Sequence, residues 1–206
     1  PFIVGFEPQR IDYKDLPGIC QSVFIALHGR PGEDGALQQQ LEKLNLPYNG
    51  SGIQSSQITI NKFETNKILR QNGVLVADGE LITKADWINN HNSKIAEIET
   101  MGFPFIAKPA DEGCSSAVLK LKTFGAIESY ANLTFRDHDV KDPLLCDNLG
   151  INAKDEFPMK DDFLLEKFID RAGAKHFLEV TGGMLTYYDS QGQLQYQIFE
   201  ASESLA

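Results

Sequence analysis

Three groups of residues in this chain have the types and spacing needed to handle a phosphorylated nucleotide, and a fourth lies where a ligand loop is expected. The first is Ile106-Ala-Lys-Pro-Ala-Asp-Glu-Gly-Cys-Ser-Ser116, in which an apolar run ends at Lys108 and a turn follows at Gly113. Glycine lets the backbone approach a phosphate so that peptide N–H groups can donate to its oxygens. The hydroxyls of Ser115 and Ser116 add donors, and Lys108 supplies a point charge for an α- or β-phosphate. The pattern GxxxxGK[ST] is absent and a strand is expected after the turn, so this is not a Walker loop. Taken alone, the same residues also suit a polar hairpin with an outward lysine.

Lys62 is a second cation, at the start of a helix announced by Asn61 with Glu64 three residues on. By itself a lysine there is more often a solvated surface charge. The third group is Glu166-Lys167-Phe168-Ile169. A purine needs apolar walls and strand-edge hydrogen bonds; Glu166 could accept from an exocyclic amine while Phe168 and Ile169 supply backbone groups. Any strand of alternating polarity looks similar. The fourth is His28-Gly-Arg-Pro-Gly-Glu-Asp-Gly35, a polar loop at a strand's C-terminal end, where α/β sheets bind ligands.

The elements that must hold these groups follow from periodicity. Ser22–Leu27 reads as a fully buried strand, and Leu37, Leu41 and Leu44 mark the helix after the loop. A helix over 62–72 is expected to bury Phe63, Ile68 and Leu69, with Gly73 as its stop. One further helix spans roughly 84–100. Phe103–Ala107 and Ala117–Leu121 are strands on either side of the glycine–serine loop, and a helix covers about 124–133. The polar stretch 136–160 is long for a loop and reads as an insertion or mobile flap. Phe163–Ile169, His176–Thr181, Met184–Tyr188 and Gln193–Phe199 are strands. The last three, separated by Gly182-Gly183 and Asp189–Gly192, read as an antiparallel meander.

With 206 residues, the chain is long enough for one large domain or two small ones. Hydrophobic residues at 42% and charged residues at 23% are ordinary globular usage. A formal charge of −10 argues against a nucleic-acid partner and against a polybasic membrane surface. No apolar run is long enough to span a bilayer, and no signal peptide is evident. Cys20, Cys114 and Cys146 are an odd set without a CxxC pair, which fits a reducing cytoplasm rather than a disulfide or zinc framework. The start at Pro1 and the end at Ala206 read as cut ends of a longer protein.

The joint order of these groups resembles the D-alanine–D-alanine ligases of the ATP-grasp superfamily. The resemblance rests on Val23–Gly35, Leu46–Gly52, Asn61-Lys62, Gly102–Pro109, Gly113–Ser116 and Leu165–Ile169. It implies an α/β protein with an α+β ATP-grasp part: residues 1–58 ending a Rossmann-like substrate domain, 59–167 forming the small ATP-grasp subdomain with its linking helix, and 168–206 opening an incomplete large subdomain. The activity implied is ATP-dependent joining of two D-alanines through an acyl phosphate, for peptidoglycan precursor synthesis. Related expectations are D-alanine with D-lactate or D-serine, another ATP-grasp ligation, or nucleotide binding without turnover in this piece alone.

Residue by residue, the resemblance places Lys62 and Lys108 on the ATP phosphates and Ile106 against adenine. Gly113, Cys114, Ser115 and Ser116 form the closing loop, and Glu166, Lys167, Phe168 and Ile169 the adenine hinge. His28 and Ser115 take the catalytic positions beside the first D-alanine, with Cys114 also facing substrate. Without a gap Cys114 stands where the family has its first loop serine; with one, Ser115 does. Glu33 and Asp34 are expected to cap the helix that follows them. ATP and Mg²⁺ (or Mn²⁺) are the implied cofactors, with metal ligands expected beyond Ala206, and a homodimer is compatible with the family.

Overall fold

The computed structural model describes residues 9–113, 115–176 and 178–204. After a 3-10 turn at Tyr13–Gly18 come helices α1 (Ala36–Lys43), α2 (Ile53–Thr59) and α3 (Lys62–Gln71). Strand β1 (Gly79–Thr83) leads to α4 (Lys84–Asn89) and α5 (His91–Met101). Then follow β2 (Phe105–Lys108), β3 (Leu119–Leu121), α6 (Phe124–Thr134), α7 (Pro143–Leu149) and β4 (Asp162–Lys167). The chain continues through β5 (Glu179–Thr181), β6 (Met184–Tyr188), β7 (Leu194–Ile198) and β8 (Ser202–Ser204). Contacts divide it into two compact units, Pro1–Phe168 and Ile169–Ala206.

The first unit is organised by a four-stranded antiparallel sheet in the order β1-β4-β2-β3. Alternation along β2 sends Phe105 and Ala107 into the core and leaves Ile106 and Lys108 half-buried on the other face. The core face joins Ile82, Phe163, Leu165 and Leu121 to Trp87, Ile98, Ile127 and Tyr130 from the helices beneath it. A smaller core forms around Leu37, Leu41 and Leu46. Gly35 precedes α1 at φ +85°, and a Cβ there would lie 2.8 Å from Ile53 O, so only glycine allows α1 and α2 to meet at this corner.

Several expectations are met locally. The Asn61 side chain accepts from Glu64 N–H at 3.0 Å, and α3 gives way at Gly73, whose φ is +77°. Thr123 likewise accepts from Ala126 N–H at 3.2 Å to start α6.

Others need correction. Ser22–Leu27 is not a buried strand: it makes one isolated parallel bridge, Val23 with Tyr48, and Phe24 is 79% exposed. Among the described residues no further strand flanks it, so an apolar run by itself does not produce burial. No residue of α3 is buried, and Ile68 and Leu69 are exposed; of the sheet strands, α3 packs chiefly on the edge strand β1. The expected helix over 84–100 is two helices that break at Asn90, where φ −127° and ψ 26° are not helical. The 136–160 stretch is not a flap. It contains α7, and Cys146 and Phe157 are buried against Tyr130 and its neighbours. The meander is also different: β6 and β7 form a hairpin, but β5 pairs with β8 rather than β6.

Candidate active site

Strand register assembles the open face of the sheet. Ile106 lies opposite Glu166 on β4 and opposite Lys120 on β3, and Glu166 in turn lies opposite Gly79 on β1. Gly79 is required there, since a Cβ would stand 2.8 Å from Glu166 Cγ and 3.0 Å from Leu165 O. Only 7% of Glu166 is exposed, and its carboxylate is held on both oxygens. Lys108 pairs with Oε2, and Asn66 Nδ2 donates to Oε1 at 2.7 Å. A buried carboxylate needs such partners, because an unpaired charge is costly away from water.

Lys62 occupies the first turn of α3, half-buried. Its backbone N–H donates to Ala110 O at 2.8 Å and its ammonium to Glu112 O. Burial, and then the nearby charge of Lys108, push the Lys62 ammonium below its ordinary value, outweighing the acidic groups Asp111, Glu112 and Glu166. Two lysines set side by side with one of them desolvated form a place where an arriving anion relieves a cost already present. Both lysines line two adjoining cavities. One, of about 310 Å³, is bounded by Thr59, Thr65, Asn66, Val76, Ala77 and Glu166. The other, of about 270 Å³, is bounded by Pro109, Glu112, Gly113, Ser115, Ser116 and Val118.

The glycine–serine loop has unusual backbone geometry. Ser115 and Ala117 have φ of 57° and 52°, a region that non-glycine residues enter at a cost of roughly 1–3 kcal/mol each. Ser116 Oγ is buried with no hydrogen-bond partner among the described residues. An orphaned hydroxyl beside two lysines is a donor suited to a phosphate oxygen. Cys114, expected to face substrate, lies outside the described residues.

The remaining candidates sit elsewhere. His28 is exposed, with Nδ1 3.8 Å from Glu33 Oε1, and does not line either lysine cavity. Its neighbour Gly29 does approach the loop: a Cβ built on Gly113 would be 3.8 Å from Gly29 Cα. Asp34 caps as expected, accepting from Ala36 N–H at 2.9 Å. Glu33 does not; it accepts from Gly29 N–H at 2.6 Å and so closes the loop on itself. Lys167 points its ammonium at the C-terminal carbonyls of the α5 region, Met101 and Gly102. The Phe168 ring lies under Lys120 Nζ, 3.3 Å from the ring centroid, and its N–H donates to Pro104 O at 3.0 Å. Ile169 is exposed and is the first residue of the second unit.

Sequence reasoning missed Asn66 and Lys120. Asn66 lies one helical turn beyond Lys62, a legible i, i+4 signal. Lys120 is placed only by the β2–β3 register. Among the described residues no group of three or more His, Cys, Asp or Glu is arranged to hold a metal ion. No helix there is long and apolar enough to cross a membrane.

Residues 68–141 match the family model described as D-ala D-ala ligase C-terminus. A D-alanine–D-alanine ligase of Actinobacillus succinogenes is 32% identical over 142 residues, 66% of this chain and 46% of that protein. One of Dechloromonas aromatica is 35% identical over 148 residues, 71% of this chain and 45% of that protein. The chain thus spans about half the length of the curated relatives it matches. Among solved structures, the D-alanine–D-alanine ligase of Bacillus anthracis superposes with a TM-score of 0.59 at 24% identity, covering 93% of this chain and 56% of that one. The VanG D-Ala:D-Ser ligase of Enterococcus faecalis gives 0.62 at 20%, covering 89% of this chain and 43% of that one. The fold is that of these enzymes.

Proposed function

We infer, from the premise that this chain is a relative of the D-alanine–D-alanine ligases, that it carries the ATP-phosphate site of an ATP-dependent enzyme joining two D-alanines. The observation that carries this reading is the pairing of Lys62 with Lys108 between two cavities, with the orphaned Ser116 Oγ at their edge.

The chemistry is demanding because a carboxylate is a poor electrophile. In the proposed reaction the γ-phosphoryl group of ATP passes to the carboxylate of the first D-alanine, giving an acyl phosphate and ADP. The amine of the second D-alanine then attacks the acyl carbon, and inorganic phosphate leaves. Lys62 and Lys108 neutralise phosphate oxygen charge, while Ser116 Oγ and the loop's N–H groups add fixed donors. Ile106 and Phe168 offer apolar surface to the purine. The Gly113–Ser116 loop excludes water from the acyl phosphate. His28 and Ser115 address the first D-alanine across the Gly29–Gly113 contact. Magnesium would share the phosphate charge; the described residues do not form a site for it. On this reading residues 59–167 are the small ATP-grasp subdomain, and the product enters peptidoglycan precursor synthesis in the cytoplasm.

The test is to incubate the natural full-length protein with ATP and D-alanine, reading ADP by coupled assay and dipeptide by mass spectrometry. The expected result is one D-alanyl-D-alanine per ADP. ADP release that does not depend on D-alanine, or a product from another amine, overturns the substrate assignment.

A further inference from the structure

A charge cluster that the reading above does not use ties the phosphate loop to two distant parts of the chain. Arg30 Nη2 lies 2.6 Å from Asp111 Oδ2, and Lys160 Nζ lies 3.0 Å from Asp111 Oδ1. Each carboxylate oxygen therefore has its own cation. Lys160 also pairs with the Glu112 carboxylate.

The two cations are themselves anchored. Arg30 Nη1 reaches Asp34 Oδ2 at 3.2 Å, and the other oxygen of Asp34 caps α1. Lys160 donates its backbone N–H to Thr134 O at 3.0 Å, at the end of α6. Asp111 is thus fastened between the start of one helix and the end of another. An isolated exposed ion pair contributes little, but here one carboxylate, its side chain 27% exposed, is shared by two cations in a connected network. Burial alone would raise the Asp111 carboxyl; Lys160 and Arg30 outweigh it and hold it below the usual carboxylate range.

The residues on either side of Asp111 are the ones that hold Lys62. Ala110 O accepts the Lys62 backbone N–H, and Glu112 O accepts its ammonium. A shift of Asp111 moves both anchors of Lys62 together.

We propose that Asp111 is a positioning residue: clasped by Arg30 and Lys160, it sets the Ala110–Gly113 backbone so that Lys62 stands beside Lys108 before a phosphate arrives. The proposal rests on the ATP-phosphate reading given above. It makes the network part of phosphate binding rather than general fold stability.

The experiment uses the natural full-length protein with Asp111→Asn and Arg30→Gln. Two readouts are taken: ATP affinity with KM for each substrate, and hydrogen exchange at residues 110–113 without nucleotide. Asp111→Asn is expected to weaken ATP binding about tenfold and leave the D-alanine KM within about twofold, with Arg30→Gln in the same direction. Exchange at 110–113 should rise in both single variants. Unchanged ATP affinity in the single variants, or equal loss in both substrates' KM, overturns the proposal, as does unchanged exchange. Wild-type protein that binds no ATP overturns the phosphate reading instead, and the exchange readout still reports whether Asp111 fixes the loop.

Discussion

On the side of the sheet that meets α4–α7, Ile82, Phe105, Ala107, Phe163 and Leu165 are all wholly buried. On the opposite side Glu166, Ile106 and Lys120 form a row across β4, β2 and β3, with Lys108 two positions along β2; Glu166 and Lys108 pair with each other, and Lys120 lies over the Phe168 ring. The first face is held by apolar area removed from water, which is non-directional and tolerant of exchange among residues of similar volume. On the second, Leu164 is buried as well, but the charged groups are held by individual pairings, each of which fails if one partner is lost. The same four strands thus present a side that determines folding and a side that holds charges in place for a ligand. The two sides should respond differently to substitution.

The largest effect is expected on the core face. Phe163 is fully buried and its ring packs against Tyr130 and Phe135. Phe163→Ala should cost about 3–5 kcal/mol in urea unfolding, from lost transfer energy plus the cavity left behind. A cost under 1 kcal/mol would mean that this face is not the organising core.

On the open face, Lys108→Met leaves Glu166 with Asn66 alone, and should destabilise the protein by about 1–3 kcal/mol while removing D-alanine-dependent ADP release. Adding Glu166→Gln should restore the stability but not the turnover. Recovery of both would place Lys108 in a purely structural role and erase the contrast between the faces.

The smallest effect concerns the loop that leaves the open face. Asp111 is depressed in the folded chain, so its contribution is fully present above its unfolded value and is lost as the pH falls through its lower folded value. Its facing groups are Arg30, Lys160, Lys62, Glu112 and Asp162. Asp111→Asn should therefore flatten the acid limb of stability below about pH 4, by at most about 1 kcal/mol, with no change at neutral pH in that slope. An unchanged acid limb would show that the Arg30–Asp111–Lys160 pairing contributes nothing.

How far these features were legible in the sequence follows the same division. Local chemistry reads well: Asn61 announces α3, Leu37 and Leu41 mark the buried stripe of α1, and Lys108 ends β2 where the apolar run stops. The likeness of the glycine–serine loop and the HGRPGEDG block to one ligase family is also local, and the relatives agree with it. What was not legible depends on partners distant in sequence. β1 has no apolar run of its own and becomes a strand by pairing with β4. The exposure of Ile68 and Leu69 depends on where α3 rests on the sheet. The burial of Cys146 depends on α6, and the split at Asn90 on how α4 and α5 each meet the core. Lys120 joins the site only through a register that the β2–β3 turn sets, and the Arg30–Asp111 pair spans 81 positions.

On the proposed reading, Lys62 and Lys108 act together on the phosphates of one ATP. A double-mutant cycle on ATP affinity in the full-length protein, using Lys62→Met, Lys108→Met and both together, tests it most directly. If both lysines hold the same anion, the losses are not additive and the coupling is on the order of 1 kcal/mol or more. Strictly additive losses, or a Lys62→Met variant that binds ATP as tightly as the wild type, would contradict the account.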